Sequence, residues 1–431
     1  MMTTVMKEGQ SARSTAPSAG PGQRRAPNVG LVGVGYVGLP LALALGGAGH
    51  SVRAYDTDRA RRQSATDQAS AAGLSRRSFR SVARIAGLAE CDVFVITVPT
   101  PTADGRPDLR HVEAACSSVG SVLRPGALVV LESTVAPGTT RGVCLPILER
   151  ASGLQAGRDF HLAYSPERIN PGDSEHRLTE VVKVVAGLDE PAVEAAVDLY
   201  SHITDVHVAA NLEVAELAKL VENAQRDVNI AFVNEVSTLA DALGLRTSDV
   251  LAVAATKWNF LDFTPGIVGG HCIAEDPYYL LTAAVDKGVE LATVRAARTT
   301  NEQRAERIAD IAASLQRDPA DGAIVIYGAA YKPNVRDRRN SAASQLAEAL
   351  SRRGYRCRII DPLADGHTAF QRERRSLSRV RARLVIAAVV HDAFADVAAQ
   401  HICSVLQLDG AVLDLTGRID AAGFSRFQHV R

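Results

Sequence analysis

The chain has 431 residues, 46% of them hydrophobic and 22% charged, and its 48 Lys plus Arg balance 48 Asp plus Glu. That length exceeds the reach of one core, so two or three domains are expected, and with the charges balanced there is no global field to recruit nucleic acid or a membrane surface. The six cysteines (Cys91, Cys116, Cys144, Cys272, Cys357 and Cys403) are far apart, with no C-x-x-C pair and no His at zinc-ligand spacing. This argues against a structural metal and for reduced thiols in a cytoplasmic protein.

Residues 1–27 are rich in Ser, Ala, Gly and Pro, lack an apolar export core, and read as a disordered tail. Val29 to Gly49 carries no charge over a length that could span a bilayer. Its seven glycines and the strand-like "SVRAYD" behind it point instead to a β-α-β unit. Gly33, Gly35 and Gly38 form G-x-G-x-x-G at the strand-to-helix junction, enclosing Tyr36 and Val37, and Asp56 ends the second strand. The first glycine permits the tight turn, the second admits a pyrophosphate to the backbone, and the third lets helix pack on strand. Asp56 suits the adenosine ribose hydroxyls, so the expected cofactor is NAD rather than NADP.

Strands continue in "CDVFVITVPTP", "GALVVLESTVAPGTT", "FHLAYSPERINPGD" and "VVKVVAG", completing a doubly wound α/β domain to about residue 207. Thr100, Thr134 and Glu167 fall at carboxyl ends of strands, where ligands of such sheets lie. From Asn211 to about Leu243 a helical pattern runs without Pro or Gly, and Lys219 and Asn223, four apart, share a face of it. Spacing alone leaves that pair either an exposed polar stripe or a functional one.

"GIVGGHCIAEDPYYL" then sets Cys272 behind Gly269, Gly270 and His271, without bulky cover. An inert buried thiol is the ordinary fate of a free cysteine; these neighbours favour an activated nucleophile. Asp276 follows at four residues, close enough in a helical turn to hold a water or proton beside the sulfur. From "GAIVIYGAAYKPNVRD" onward a second α/β alternation occupies roughly 315–431, without G-x-G-x-x-G. The basic runs "RDRRN" (Arg336 to Asn340) and "RERRSLSRVRAR" (Arg372 to Arg383) read as solvated faces or as phosphate contacts.

Six segments in one order, "GLVGVGYVGLPLALALGGAGHSVRAYD", "ESTVAPGT", "YSPERINPG", "AELAKLVENAQRDVNIAFVNE", "GGHCIAEDPYYL" and "GAAYKPNVRD", make the chain resemble the UDP-glucose/GDP-mannose dehydrogenase family. The resemblance implies two Rossmann-like domains joined by a helical one: an NAD domain over 28–207, a central dimer-forming domain over 208–314, and a nucleotide-sugar domain over 315–431. It implies a four-electron oxidation of a UDP-sugar C6 alcohol to a carboxylate by two NAD in turn, in a homodimer or higher homo-oligomer. Carried over by position, Cys272 attacks the C6 aldehyde, Lys219 and Asn223 stabilise the oxyanion, and Asp276 and Thr134 manage a water. Glu167 serves thioester hydrolysis, and Arg168, Gly269, Lys332 and Arg339, with Glu167, Lys219 and Asn223, contact substrate. "PERINPG", with Pro171 where other branches carry a second glutamate, and "HCIA" point to the branch acting on UDP-N-acetylglucosamine or UDP-N-acetylmannosamine. Several positions depart from the family pattern: Glu275 puts an extra carboxylate near Cys272, and Arg336, Asn340 and Ala342 replace usual residues, which suggests an altered substrate. Competing readings are a two-electron hydroxyacid dehydrogenase, which needs no cysteine, and a non-catalytic nucleotide-sugar binding module.

Overall fold

The structure, a computed structural model, describes residues 26–103, 105–169, 178–270, 272–419 and 428–430; most of the expected N-terminal tail lies outside them. In chain order the strands are β1 (Asn28–Val32), β2 (Ser51–Tyr55), β3 (Phe79–Val82), β4 (Val93–Ile96), the short hairpin β5 (Thr102–Ala103) and β6 (Arg106–Pro107), β7 (Leu128–Leu131), β8 (His161–Tyr164), β9 (Lys183–Gly187) and β10 (Val206–Val208). Then follow β11 (Ile324–Tyr327), β12 (Cys357–Ile360), β13 (Ala382–Ala387), β14 (Leu406–Asp414) and β15 (Gln428–Val430).

The first sheet runs β10-β9-β8-β7-β4-β1-β2-β3, parallel except between β8 and β9. Helices cover both faces, so β4 "VFVI" and β7 "LVVL" are buried at every residue, and their uninterrupted apolar runs are what such strands require. Strand order reverses between β1 and β4, the switch point at which α/β sheets take ligands. The uncharged stretch from Val29 to Gly49 is β1, the glycine turn and the helix Gly38–Gly47, and among the described residues no helix is long and apolar enough to cross a membrane. The second sheet, β12-β11-β13-β14-β15, is parallel throughout.

Between the two sheets stands a helical region built on the 31-residue helix Leu212–Ala242, referred to below as the long helix. Asn211 starts it by accepting the Val214 N–H at 2.9 Å through its side chain. Against it pack the helix Cys272–Val285, the cysteine helix, and the helix Ala292–Leu315. The buried side of the long helix mixes apolar residues such as Leu220, Ala224 and Ala231 with a row of polar ones, Glu216, Lys219, Asn223, Asp227 and Asn234. Arg298, from the third helix, pairs with Asp227 at 2.6 Å, both side chains nearly sealed, and Asn301 donates to the same carboxylate at 2.8 Å. On the other face Val214, Leu217, Val221, Phe232 and Leu239 are exposed.

Truncating Asp227 to Ala removes the close, buried partner of the Arg298 guanidinium and leaves it the half-exposed Glu302 at 3.6 Å. The variant is expected to lose about 3–5 kcal/mol of stability by urea denaturation; a loss within about 0.5 kcal/mol of wild type would show that the pair does not hold the helices together.

Candidate active site

The three glycines of the first turn have three different physical reasons. Gly33 has φ +97°, and a β-carbon there would meet the Thr97 carbonyl oxygen at 2.9 Å; one on Gly38 would lie 1.9 Å from the Gly33 oxygen, inside the contact of helix on strand. Gly35 faces open space, with nothing within 4 Å of an added β-carbon. The helix behind the turn starts without a side-chain cap at Val37; Leu39 N is taken by the Gly35 carbonyl at 3.1 Å and Pro40 has no N–H, so the start of the helix at Val37 and Gly38 is what faces an anion. Asp56 is buried at the end of β2, where Oδ2 accepts from Val34 N at 3.0 Å and Oδ1 from Asp58 N at 2.8 Å. Each oxygen keeps a lone pair for a ribose hydroxyl. Open ground at Gly35, an uncapped helix start and an anchored acid fit a dinucleotide, which Gly33, Gly35, Tyr36, Val37, Gly38 and Asp56 would hold. Thr97, which the motif does not reveal, ties the turn down by donating to the Gly33 oxygen at 2.7 Å.

Beyond the carboxyl ends of β4, β7 and β8 lie Thr100, Thr134 and Glu167 in turn. The Thr100 carbonyl accepts from the fully buried Tyr279 hydroxyl at 2.6 Å, so the cysteine helix is pinned to the end of β4. Thr134 is half-buried. Glu167 is buried, its Oε1 accepting from Arg168 N at 2.7 Å and Ile169 N at 2.5 Å. Arg168 forms an ion pair with Glu222 of the long helix at 2.9 Å and donates to the Val182 carbonyl at 2.8 Å.

The long helix and the cysteine helix meet at a hydrogen bond from Asn223 Nδ2 to Asp276 Oδ2. Lys219 and Asn223 are thus buried beside Asp276, not an exposed stripe. Burial pushes the Asp276 carboxyl up to about 6, against the opposing pull of the Lys219 charge and the Asn223 bond. Cys272 is the first residue of the cysteine helix, one turn before Asp276; its side chain lies outside the described part, as do His271 and Pro171. Glu275 lines a cavity of about 230 Å³ with Ala274, Tyr278, Arg298 and Glu302, whereas Asp276 meets the long helix.

The segment leading to the cysteine is clamped by the second sheet domain. Gly270 N donates to the Asn340 carbonyl at 3.0 Å, and Asn340 Nδ2 donates back to the Gly270 carbonyl at 3.0 Å. Gln345 reaches the Val268 carbonyl at 3.0 Å. A β-carbon on Gly269 would lie 2.6 Å from the Asn340 oxygen, and one on Gly270, whose φ is +78°, would strike the Tyr331 ring at 2.6 Å. Asn340, which in sequence marks a departure from the family pattern, here makes a contact that a carboxylate could not reproduce, since it lacks the amide donor.

Lys332 Nζ lies 5.7 Å from the Tyr331 ring centroid, in the loop after β11. That loop is held by a buried pair that spacing does not disclose: Asp361 accepts from Ala329 N at 2.6 Å, and His391 Nε2 lies 3.0 Å from both Asp361 oxygens. His391 Nδ1 accepts from Asn334 N at 2.9 Å, which assigns the ring proton to Nε2. Burial disfavours the Asp361 charge, yet His391 and the backbone N–H groups hold its carboxyl at about 2. Arg339 is committed to Asp337 through a two-pronged bond, Nε to Oδ1 at 3.0 Å and Nη2 to Oδ2 at 2.6 Å, and its guanidinium lies 5.5 Å from the Tyr36 ring centroid. The two sheet domains therefore touch at residues expected to hold cofactor and substrate.

Family models describe the whole of this layout: the NAD binding domain of the UDP-glucose/GDP-mannose dehydrogenase family matches residues 27–204, its central domain 213–303 and its UDP binding domain 325–421. The chain is 37% identical to the UDP-N-acetyl-D-glucosamine 6-dehydrogenase of Pseudomonas aeruginosa, over 91% of this chain and 97% of that protein. It is 39% identical to the protein CapL of Staphylococcus aureus, over 79% and 84% of the two chains. Among solved structures, the UDP-D-ManNAc dehydrogenase of Pyrococcus horikoshii superimposes with a TM-score of 0.81 at 29% identity, covering 94% of this chain and 99% of that one. With every domain matched and the relatives covered nearly end to end, the chain belongs to the UDP-glucose/GDP-mannose dehydrogenase family.

Proposed function

We propose that this chain oxidises the C6 alcohol of a UDP-N-acetylhexosamine to the uronic acid through a thioester on Cys272. The observation that carries the proposal is the Asn223–Asp276 bond beside Lys219, which joins the long helix to the helix that Cys272 opens. The acetamido sugar is favoured by the relatives' substrates and by the "PERINPG" and "HCIA" segments.

NAD, when bound, supplies the hydride acceptor for each of the two oxidations. The Cys272 thiolate adds to the C6 aldehyde carbon, and the Lys219 ammonium with the Asn223 amide stabilises the oxyanion that develops. Once the thioester is formed, a water held with the help of Asp276 and Thr134 attacks its acyl carbon. The water's proton passes to Glu167, the carbon–sulfur bond breaks, and Cys272 leaves as thiolate. Arg168, Gly269 and Lys332 contact the sugar nucleotide in this reading. Arg339 joins them by exchanging part of its Asp337 bond for the diphosphate. The boundaries at 28–207, 208–314 and 315–431 are proposed for the three domains. The exposed apolar row Val214, Leu217, Val221, Phe232 and Leu239 is proposed as the self-association face of a cytoplasmic homodimer.

A panel of UDP-N-acetylglucosamine, UDP-N-acetylmannosamine, UDP-glucose and GDP-mannose, followed by NADH absorbance, tests the substrate class. One of the two acetamido sugars should exceed UDP-glucose by at least about tenfold in kcat/KM, a difference of about 1.4 kcal/mol. No NADH with any UDP-sugar would refute the reading.

The raised Asp276 carboxyl gives a second test. Lys219, Asn223, Arg226 and Glu275 are the groups that act on it. Its ionised form is the one that accepts a hydrogen bond from the water it helps to hold, so kcat should rise with pH around a midpoint near 6 and Asp276→Asn should remove that limb. Stability moves the other way. Between about pH 4 and 6 the folded chain keeps a proton that the unfolded chain has released, so this group's contribution falls as pH rises. A kcat profile flat through this range in the wild type would contradict the assignment.

A further inference from the structure

The catalytic scheme leaves one strongly charged, buried cluster unused, and it lies against Glu167. Lys183, the first residue of β9, is only 3% exposed, with Nζ 2.8 Å from Glu132 Oε2 and 3.8 Å from Glu167 Oε2. Glu132, directly after β7, is fully buried and accepts the Tyr200 hydroxyl at 2.5 Å, and the Lys183 ammonium stands 5.1 Å from the Tyr200 ring centroid. Glu167 divides its two oxygens between different tasks. Oε1 is taken by the N–H groups of Arg168 and Ile169, while Oε2 is buried and, among the described residues, has no hydrogen bond.

Burying an ammonium with its carboxylate is costly, and an apolar pair in place of Lys183 and Glu132 would pin β9 to β7 at least as well. The arrangement has a use if the charge serves Glu167. Among the described residues Glu132 forms the close pair with Lys183, so the ammonium stays fixed at β9 and is not captured by Glu167. At 3.8 Å the second carboxylate feels the positive charge, yet Oε2 retains a lone pair that no short bond from the described residues occupies. A general base needs both properties: it must be ionised when its step begins and must offer a free lone pair in a fixed direction.

We infer that Lys183, buttressed by Glu132 and Tyr200, is a positioning residue for the hydrolytic half of the reaction, its charge beside Glu167 Oε2 keeping that carboxylate oriented to take the proton of the attacking water. This rests on the reading of Glu167 given above. Formation of the thioester does not call on Glu167, so loss of Lys183 leaves both hydride transfers of the first turnover in place and slows only the breaking of the carbon–sulfur bond.

The test compares full-length K183M, K183R and E167Q with wild type, by NADH released in the first turnover and by intact mass of the quenched protein. K183M is expected to release two NADH per active site in a burst, then turn over at least about tenfold more slowly than wild type. Its quenched mass should be raised by the acyl-sugar adduct. K183R keeps the charge and should restore most of the steady rate. Since K183M leaves Glu132 buried without its counter-charge, the K183M/E132L variant, which removes both charges, makes the same comparison if K183M does not fold. Adduct in E167Q but in neither folded Lys183 variant, or a Lys183 variant whose first-turnover burst is slowed as much as its steady rate, overturns the inference while sparing Glu167. No adduct in E167Q removes the reading of Glu167, and the role of Lys183 with it.

Discussion

Everything that positions this site depends on one constraint: a helix of 31 residues buries a row of polar side chains, and each must find a partner in the segment packed against it. Glu216 accepts from Gly138 N at 2.5 Å and Thr140 N at 2.8 Å, fixing the turn after β7 that carries Thr134. Asn223 takes Asp276, and Asp227 takes Arg298 and Asn301. Asn234 closes a two-way bond with Gly266, at 2.9 and 3.0 Å, at the start of the segment that leads to Cys272. Apolar contacts would permit these elements to slide; directional bonds to four different segments do not. Lys219, between Glu216 and Asn223, is thereby held where its charge acts on Asp276.

The same logic joins the domains. Tyr279 anchors the cysteine helix to the carbonyl of Thr100, at the cofactor end of the first sheet, and Asn340 clamps Gly270 from the second sheet domain. The segment that leads to Cys272 is thus gripped from both sides, by the domain with the glycine turn and by the domain with the Lys332 loop. Tyr36 and Arg339 add a contact that bypasses the central helices altogether. Contacts from both sheet domains therefore fix the position of the residue that opens the cysteine helix.

How far the sequence discloses this varies with the kind of signal. The first sheet and the dinucleotide turn are legible because apolar runs, glycine spacing and a terminal acid each follow from local geometry, and Gly33, Gly35 and Gly38 serve the three purposes that their spacing implies. The long helix is legible to within one residue at each end, from its periodicity. Its polar face is not, because periodicity states which residues share a side and not what covers it. Lys183, Tyr279 and His391 escape notice for a related reason: each acts on a residue distant in the chain, at separations of 16, 179 and 30 positions or more. Asn340 is a different case. In sequence it marks a departure from a family pattern, and the fold adds that its amide bonds the backbone of Gly270.

The account stands or falls on the sulfur at position 272 retaining the half-oxidised sugar until a second hydride has left. The number of NADH formed per molecule of UDP-sugar consumed measures this directly. The wild-type protein should give two, with the uronic acid as product, and Cys272→Ser should fail to complete the second oxidation. One NADH per sugar, unchanged by that substitution, would contradict the account and return the chain to two-electron chemistry.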